Sequence, residues 1–209
     1  FPDAAHARWR ALHEVAATSL FIEKHGRECA GRFNDHLYVD SYDSIRELKK
    51  YEHRLNAKAP SQEVIEEHKA LYDAVIGKYG KGFGCHYGWA AYVFPDRLAR
   101  QVGFGSIEKD VGLDHMRPYY KWASQNVHSG SKGTKTRLGL KDEDQSALLI
   151  GASTYGFTDP AHAMAISLTQ STLPLLRMNQ GLSTNLNSLV LLGYCADIGA
   201  TFLEIQNSL

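Results

Sequence analysis

The chain has 209 residues, 44 % of them hydrophobic, enough to bury one sizeable core, and it reads as a single helical domain over 1–209. Its 23 basic and 23 acidic side chains cancel to a formal charge of zero, which argues against non-specific binding of duplex nucleic acid as its main work. Three widely spaced cysteines, Cys29, Cys85 and Cys195, make neither a disulfide framework nor a zinc knuckle and suit a reducing cytoplasm. No apolar run reaches the roughly twenty residues of a membrane span, so no membrane partner is expected. The chain opens on Phe1 rather than Met, as expected where an N-terminal segment of a longer chain is missing.

Asp3 to Ile22 has almost no helix breaker and is expected to be a helix. Trp9, Leu12, Ala16 and Leu20 form one apolar stripe, and Ala11, Val15, Thr18 and Ile22 a second, so burial is expected on most of its circumference. His6, Arg10, His13 and Glu14 fall on the narrow strip between, where any buried charge must be paired. Gly26, between charged residues, allows a turn or a kink. A second helix is expected over about 27–55, with Cys29, Phe33, Leu37 and Val39 as its apolar contacts and Arg46, Glu47, Lys49 and Lys50 in water. The Asn56–Pro60 region breaks it, and Ser61 can cap a third helix, Gln62 to Tyr79, giving a helical hairpin.

GKYGKGFGCHYGW, 77–89, has five glycines in thirteen residues and reads as an irregular loop. It lacks the phosphate-loop spacing and no apolar strand precedes it, so nucleotide phosphate binding there is not expected, and no cofactor is. A short helix is expected at Pro95–Gln101 and a longer one from near Asp114 through His128. A polar glycine-bearing loop follows, with a short β-hairpin expected around 137–152. Thr158 or Asp159 can cap a helix that carries Pro160 in its first turn and Pro174 as a kink. The last helix, Leu186 to Gln206, is apolar on several faces, so it must be central or shared with a partner. The fold class is therefore all-α, an irregular multi-helix bundle.

Arg117 to Gly130 carries the most unusual composition. Tyr120, Ser124 and His128 recur every fourth residue, placing a phenol, a hydroxyl and an imidazole on one helix face with Arg117 one turn before. Two readings follow. In the first, Arg10, Glu14, Tyr120, Ser124 and His128 form a satisfied polar network that fixes the packing of the first helix on the middle one. In the second they form a site in which His128 or His13 moves a proton, with Glu14 beside them, while Arg10 or Arg117 holds an anion against Tyr120 and Ser124.

RWRALHEVAATSLFIEKHGRECAGRFNDH at 8–36, YYKWASQNVHSGS at 119–131 and GASTYGFTDPAHAMAISL at 151–168 resemble three blocks of the bacterial family called domain of unknown function 5677. The resemblance implies a helical domain and assigns no catalytic residue. The site reading points instead to helical ribonucleases of the HEPN type, found in bacterial toxins and phage defence, whose motif places four to six residues between an Arg and a following His. Arg8 with His13 and Arg46 with His53 fit that spacing, but eleven arginines and ten histidines in 209 positions produce about 1.6 such pairs by chance. Asp3 with His6, and Asp159 with His162, pair a carboxylate and an imidazole one turn apart, without the further glutamates a bundle metal site uses, so no metal is expected. Ser124 lacks the sharp turn of a nucleophile elbow. A third class is an interaction module, possible as a homo-oligomer through the C-terminal helices, which an exposed stripe through Leu186, Leu189, Leu192 and Ile198 would favour.

Overall fold

The structure, a computed structural model, describes residues 1–128, 132–133, 137–140, 151–178 and 181–209. It is all-α, and no strand occurs among the described residues. The β-hairpin expected around 137–152 falls largely on residues outside the described ones. The chain forms two compact units, one from Phe1–Lys24 with Glu108–Leu209, the other from His25–Ile107.

Helix α1 (Pro2–Asp35) contributes to both units. Its one break in helical geometry is Gly26, at φ 69° and ψ −153°, a conformation that side-chain-bearing residues rarely adopt, so the kink allowed by the sequence is real. The second helix starts later than expected. Helical geometry resumes after Gly26 and runs to Asp35, and α2 (Leu37–Leu55) begins only beyond His36.

In the His25–Ile107 unit, α2 packs on α3 (Gln62–Tyr79) as the expected hairpin. Ser61 caps α3 by accepting a hydrogen bond from the Val64 N–H. The end of α3 is tied to the end of α1 through Asp35, which accepts from the Tyr79 hydroxyl at 2.7 Å and from Lys78 at 2.9 Å. The glycine-rich stretch is not featureless. It contains a 3₁₀ turn, Lys81–Gly84, which buries Phe83, and Gly88 runs so close to the Phe83 carbonyl that a Cβ there would sit 2.2 Å from its oxygen. Arg32 lies over the rings of Tyr79, Tyr92 and Phe83 and donates to the Trp89 carbonyl, so one guanidinium gathers the aromatic side chains of this segment. Only a 3₁₀ turn at Ala99–Gln101 forms where a short helix was expected from Pro95.

Helix α4 (Phe104–Asp110), which no periodicity announces, ends in the other unit with Glu108. There it joins the N-terminal part of α1, α5 (Arg117–Val127), α6 (Thr158–Arg177) and α7 (Leu182–Ser208). Of the first apolar stripe Trp9 and Ala16 are fully buried and Leu12 and Leu20 partly, and Ala17 and Phe21, outside that stripe, are fully buried as well. The second stripe is not buried. Ala11 and Val15 face water, because α1 has neighbours on one side there, and small apolar residues stand exposure at little cost.

Neither expected residue caps α6. Its N-cap is Phe157, and the Thr158 hydroxyl instead donates to the Phe202 carbonyl on α7, joining the two helices as a hairpin. Pro160 is buried in the first turn, and the helix continues past Pro174 to Arg177. Helix α7 corrects two expectations. At 27 residues it is long and apolar enough to cross a membrane by length and composition, since the polar residues that interrupt its apolar runs are mostly small and uncharged. It is also far from central: nearly all of its apolar stretch is exposed.

Candidate functional site

The polar strip of α1 meets α4 and α5 in one cluster. The His13 ring donates from Nε2 to Glu108 Oε1 at 2.8 Å, and both side chains have 0 % exposure. Arg117, at the start of α5 and a quarter exposed, pairs with the other carboxylate oxygen of Glu108. Burial lowers the His13 pKa and outweighs the hydrogen bond and charge of Glu108, which raise it; the Arg117 charge pushes the same way as burial. The imidazole is therefore held neutral at pH 7.

One turn away is a second, more open set. Arg10 pairs with Glu14 at 3.0 Å along α1, and its Nε–H donates to Ser124 Oγ on α5 at 3.0 Å. The Ser124 hydroxyl donates back to the Tyr120 carbonyl at 2.8 Å, the helical habit that competes with a role as nucleophile. The Tyr120 hydroxyl donates to Glu14. Two guanidiniums lie against the Tyr120 ring, Arg10 at 4.8 Å and Arg117 at 5.2 Å from its centroid. Residues 106 to 114 positions apart are thus bonded pair by pair.

A third layer extends toward the start of α1. His6 is buried, stacked on Trp9 with ring centroids 5.3 Å apart and edge-on to Trp122 at 5.5 Å. Burial lowers its pKa against the opposing charges of Asp159 and Asp3. The Trp9 indole N–H donates to Ser167 on α6 at 3.0 Å. Asp3 accepts from the Leu138 N–H at 3.1 Å.

The structure brings together Arg10, His13, Glu14, Arg117, Tyr120 and Ser124. It does not bring in His128. Helix α5 ends at Val127, and His128 is its exposed C-cap, so the four-residue repeat stops one turn short of the imidazole. Glu108 was missed. It lies in a seven-residue helix between glycine-bearing turns, and a lone Glu between Ile107 and Lys109 looks like any solvated carboxylate. Arg8 and His13, which fit the ribonuclease spacing, part company: Arg8 is exposed and His13 sealed. Arg46 and His53 are both exposed on α2, engaged with Asp43 and Glu52. Among the described residues no three His, Cys, Asp or Glu side chains are placed to share a metal ion.

The family of unknown function DUF5677 matches residues 1–146, the segment that supplies every member of this cluster. The chain belongs to that family. The family segment ends before the third stretch of resemblance, 151–168, so α6 and α7 lie beyond it. No curated protein and no solved structure matches the chain.

Proposed function

We propose that this DUF5677 chain is a helical interaction module whose Arg/Glu/Tyr/Ser/His cluster is a structural network rather than a reaction centre. The observation that carries the reading is the sealed pair His13–Glu108. A general base must reach the proton it takes, and an imidazole with no exposed surface, bonded to a carboxylate with none, reaches only its own chain. The surrounding bonds give each group a partner on a neighbouring helix, which is what keeps buried polar atoms affordable. Surface for a partner is found instead on α7, where Leu186, Leu189, Leu192 and Ile198 are all exposed. The three cysteines are free, which supports a reducing, cytoplasmic setting.

The competing reading is a HEPN-like ribonuclease acting in defence or as a toxin. It would have to use Arg10 and Arg117, each about a quarter exposed, with the exposed His128. One experiment separates the two: NMR titration of the histidine rings, with His13→Ala and His128→Ala variants assayed for melting and for cleavage of single-stranded RNA. A network predicts that His13 titrates below the ordinary imidazole range and that its removal costs more than about 2 kcal/mol, while His128→Ala changes neither stability nor any nuclease activity. RNA cleavage abolished by His128→Ala in a fully folded chain would establish the ribonuclease instead.

A further inference from the structure

Helix α7 has two seams, each with the three-and-four spacing of helix pairing. The first is used. Leu191, Cys195, Gly199 and Phe202 are turned toward α6, and a Cβ on Gly199 would sit 2.8 Å from the His162 ring, so the glycine is there to let α6 approach. The second seam runs on the opposite side through Leu182, Leu186 and Leu189, then Gly193, Ala196 and Ala200, then Leu203. All seven are exposed. Gly193 has nothing within 4 Å of where its Cβ would be. Glycine inside a helix costs stability, and no contact among the described residues explains this one.

We infer that the second seam is the contact with a second copy of the chain, α7 lying antiparallel to α7 about a two-fold axis through Gly193. This rests on the interaction-module reading and names its partner. In that register Leu186 faces Ala200, Leu189 faces Ala196, Gly193 faces itself and Leu182 faces Leu203. Every large residue of the inner turns meets a small one, so the helices approach closely without overpacking. Charge selects the same direction. The helix has two acidic residues, Asp197 and Glu204, both in its C-terminal half, and no basic residue. A parallel pair would set each against its own copy. The antiparallel pair sets them beside the uncharged Ser183–Ser188 turns and brings Glu204 to the positive end of the partner's helix.

The four leucines of the seam are each more than half exposed, led by Leu182 at 77 % and Leu189 at 65 %, which is the kind of apolar face a second copy would cover. A bilayer fits less well. Asp197 would lie near its middle, where a carboxylate is costly.

The test is light scattering of the intact chain at tens of micromolar, with cysteine trapping in a Cys85→Ser, Cys195→Ser background. The expected mass is twice that of the chain. Leu182→Cys and Leu203→Cys chains should form a disulfide-linked dimer on mild oxidation when mixed, several-fold above either alone. Gly193→Leu should give a monomer with unchanged helicity and the melting of wild type diluted until it is unpaired, since its side chain meets nothing among the described residues. Linking of Leu182→Cys to itself would overturn the antiparallel register. A monomeric wild type would overturn the second copy as partner. If that monomer also floats with phosphatidylcholine–phosphatidylglycerol vesicles, the seam faces lipid and the interaction reading stands; if it neither floats nor binds an apolar dye, both fall.

Discussion

The first and last helices of the same unit invert the usual sorting of residues. Helix α1 sends His13 inward to a buried Glu108 and His6 inward between Trp9 and Trp122, while α7, the most apolar of the described helices, holds its leucines in water. The difference lies in partners. His13 finds its hydrogen bond to Glu108 and His6 its ring contacts with Trp9 and Trp122 within the unit. Among the described residues the apolar side chains of α7 pack on α6 and are otherwise largely exposed. A polar interior with partners is a finished structure, whereas an apolar exterior without them is one half of a contact.

The sharpest way to break this contrast is to remove one partner from the buried set. Glu108→Ala would leave the Arg117 charge and the His13 ring without their carboxylate, and is expected to cost about 3–5 kcal/mol in urea unfolding at pH 7.5. A loss below about 1 kcal/mol would mean that the cluster does not hold the unit together.

Acid should act on the same groups. His13 and His6 both have folded pKa values lowered by burial, so above pH 6.5 the neutral rings cost nothing and stability is complete. Below pH 6.5 the unfolded chain takes up protons that the folded one refuses, so stability falls as pH drops through 6.5 toward the folded values. Thermal melting from pH 8 to 5 should show this slope, and His13→Ala should flatten it.

Tyr120→Phe removes the hydroxyl donor to Glu14, whose carboxylate is a third exposed and keeps its pairing with Arg10, and about 1 kcal/mol is expected. The smallest effect belongs to α7. Leu189→Gln, measured at a dilution where copies do not pair, should change unfolding by no more than about 0.5 kcal/mol, because a leucine in water has little burial to lose. A larger loss would show that α7 already packs within its own chain.

Much of this was legible wherever a local rule acts alone. Ser61 caps α3, Gly26 kinks α1, and Arg10 pairs with Glu14, each from chemistry within one turn of helix. The facing of Tyr120 and Ser124 toward α1 also followed from period. His128 did not, because α5 stops at Val127 and nothing local in SQNVHSG announces the stop. Glu108 was invisible for a different reason: its role comes from residues 95 positions earlier and nine later, not from its neighbours. The composition of α7 said that something must cover it. That the cover is absent from the described fold could be learned only by placing α6 on one side and finding the other bare.

The unit that holds the cluster is built from the two ends of the chain, with the His25–Ile107 unit spelled out between them. During synthesis the first 24 residues therefore emerge long before their partners. Trp9 and Ser167 are 158 residues apart, so at ribosomal speeds of 5–20 residues per second the indole waits about 8–30 s for its acceptor. The contiguous middle unit can close in that interval, while Trp9 and Phe21 stay uncovered by their own unit. The order of assembly is thus written into the connectivity: centre first, ends last, with the nascent N-terminal helix the segment most in need of a chaperone's cover.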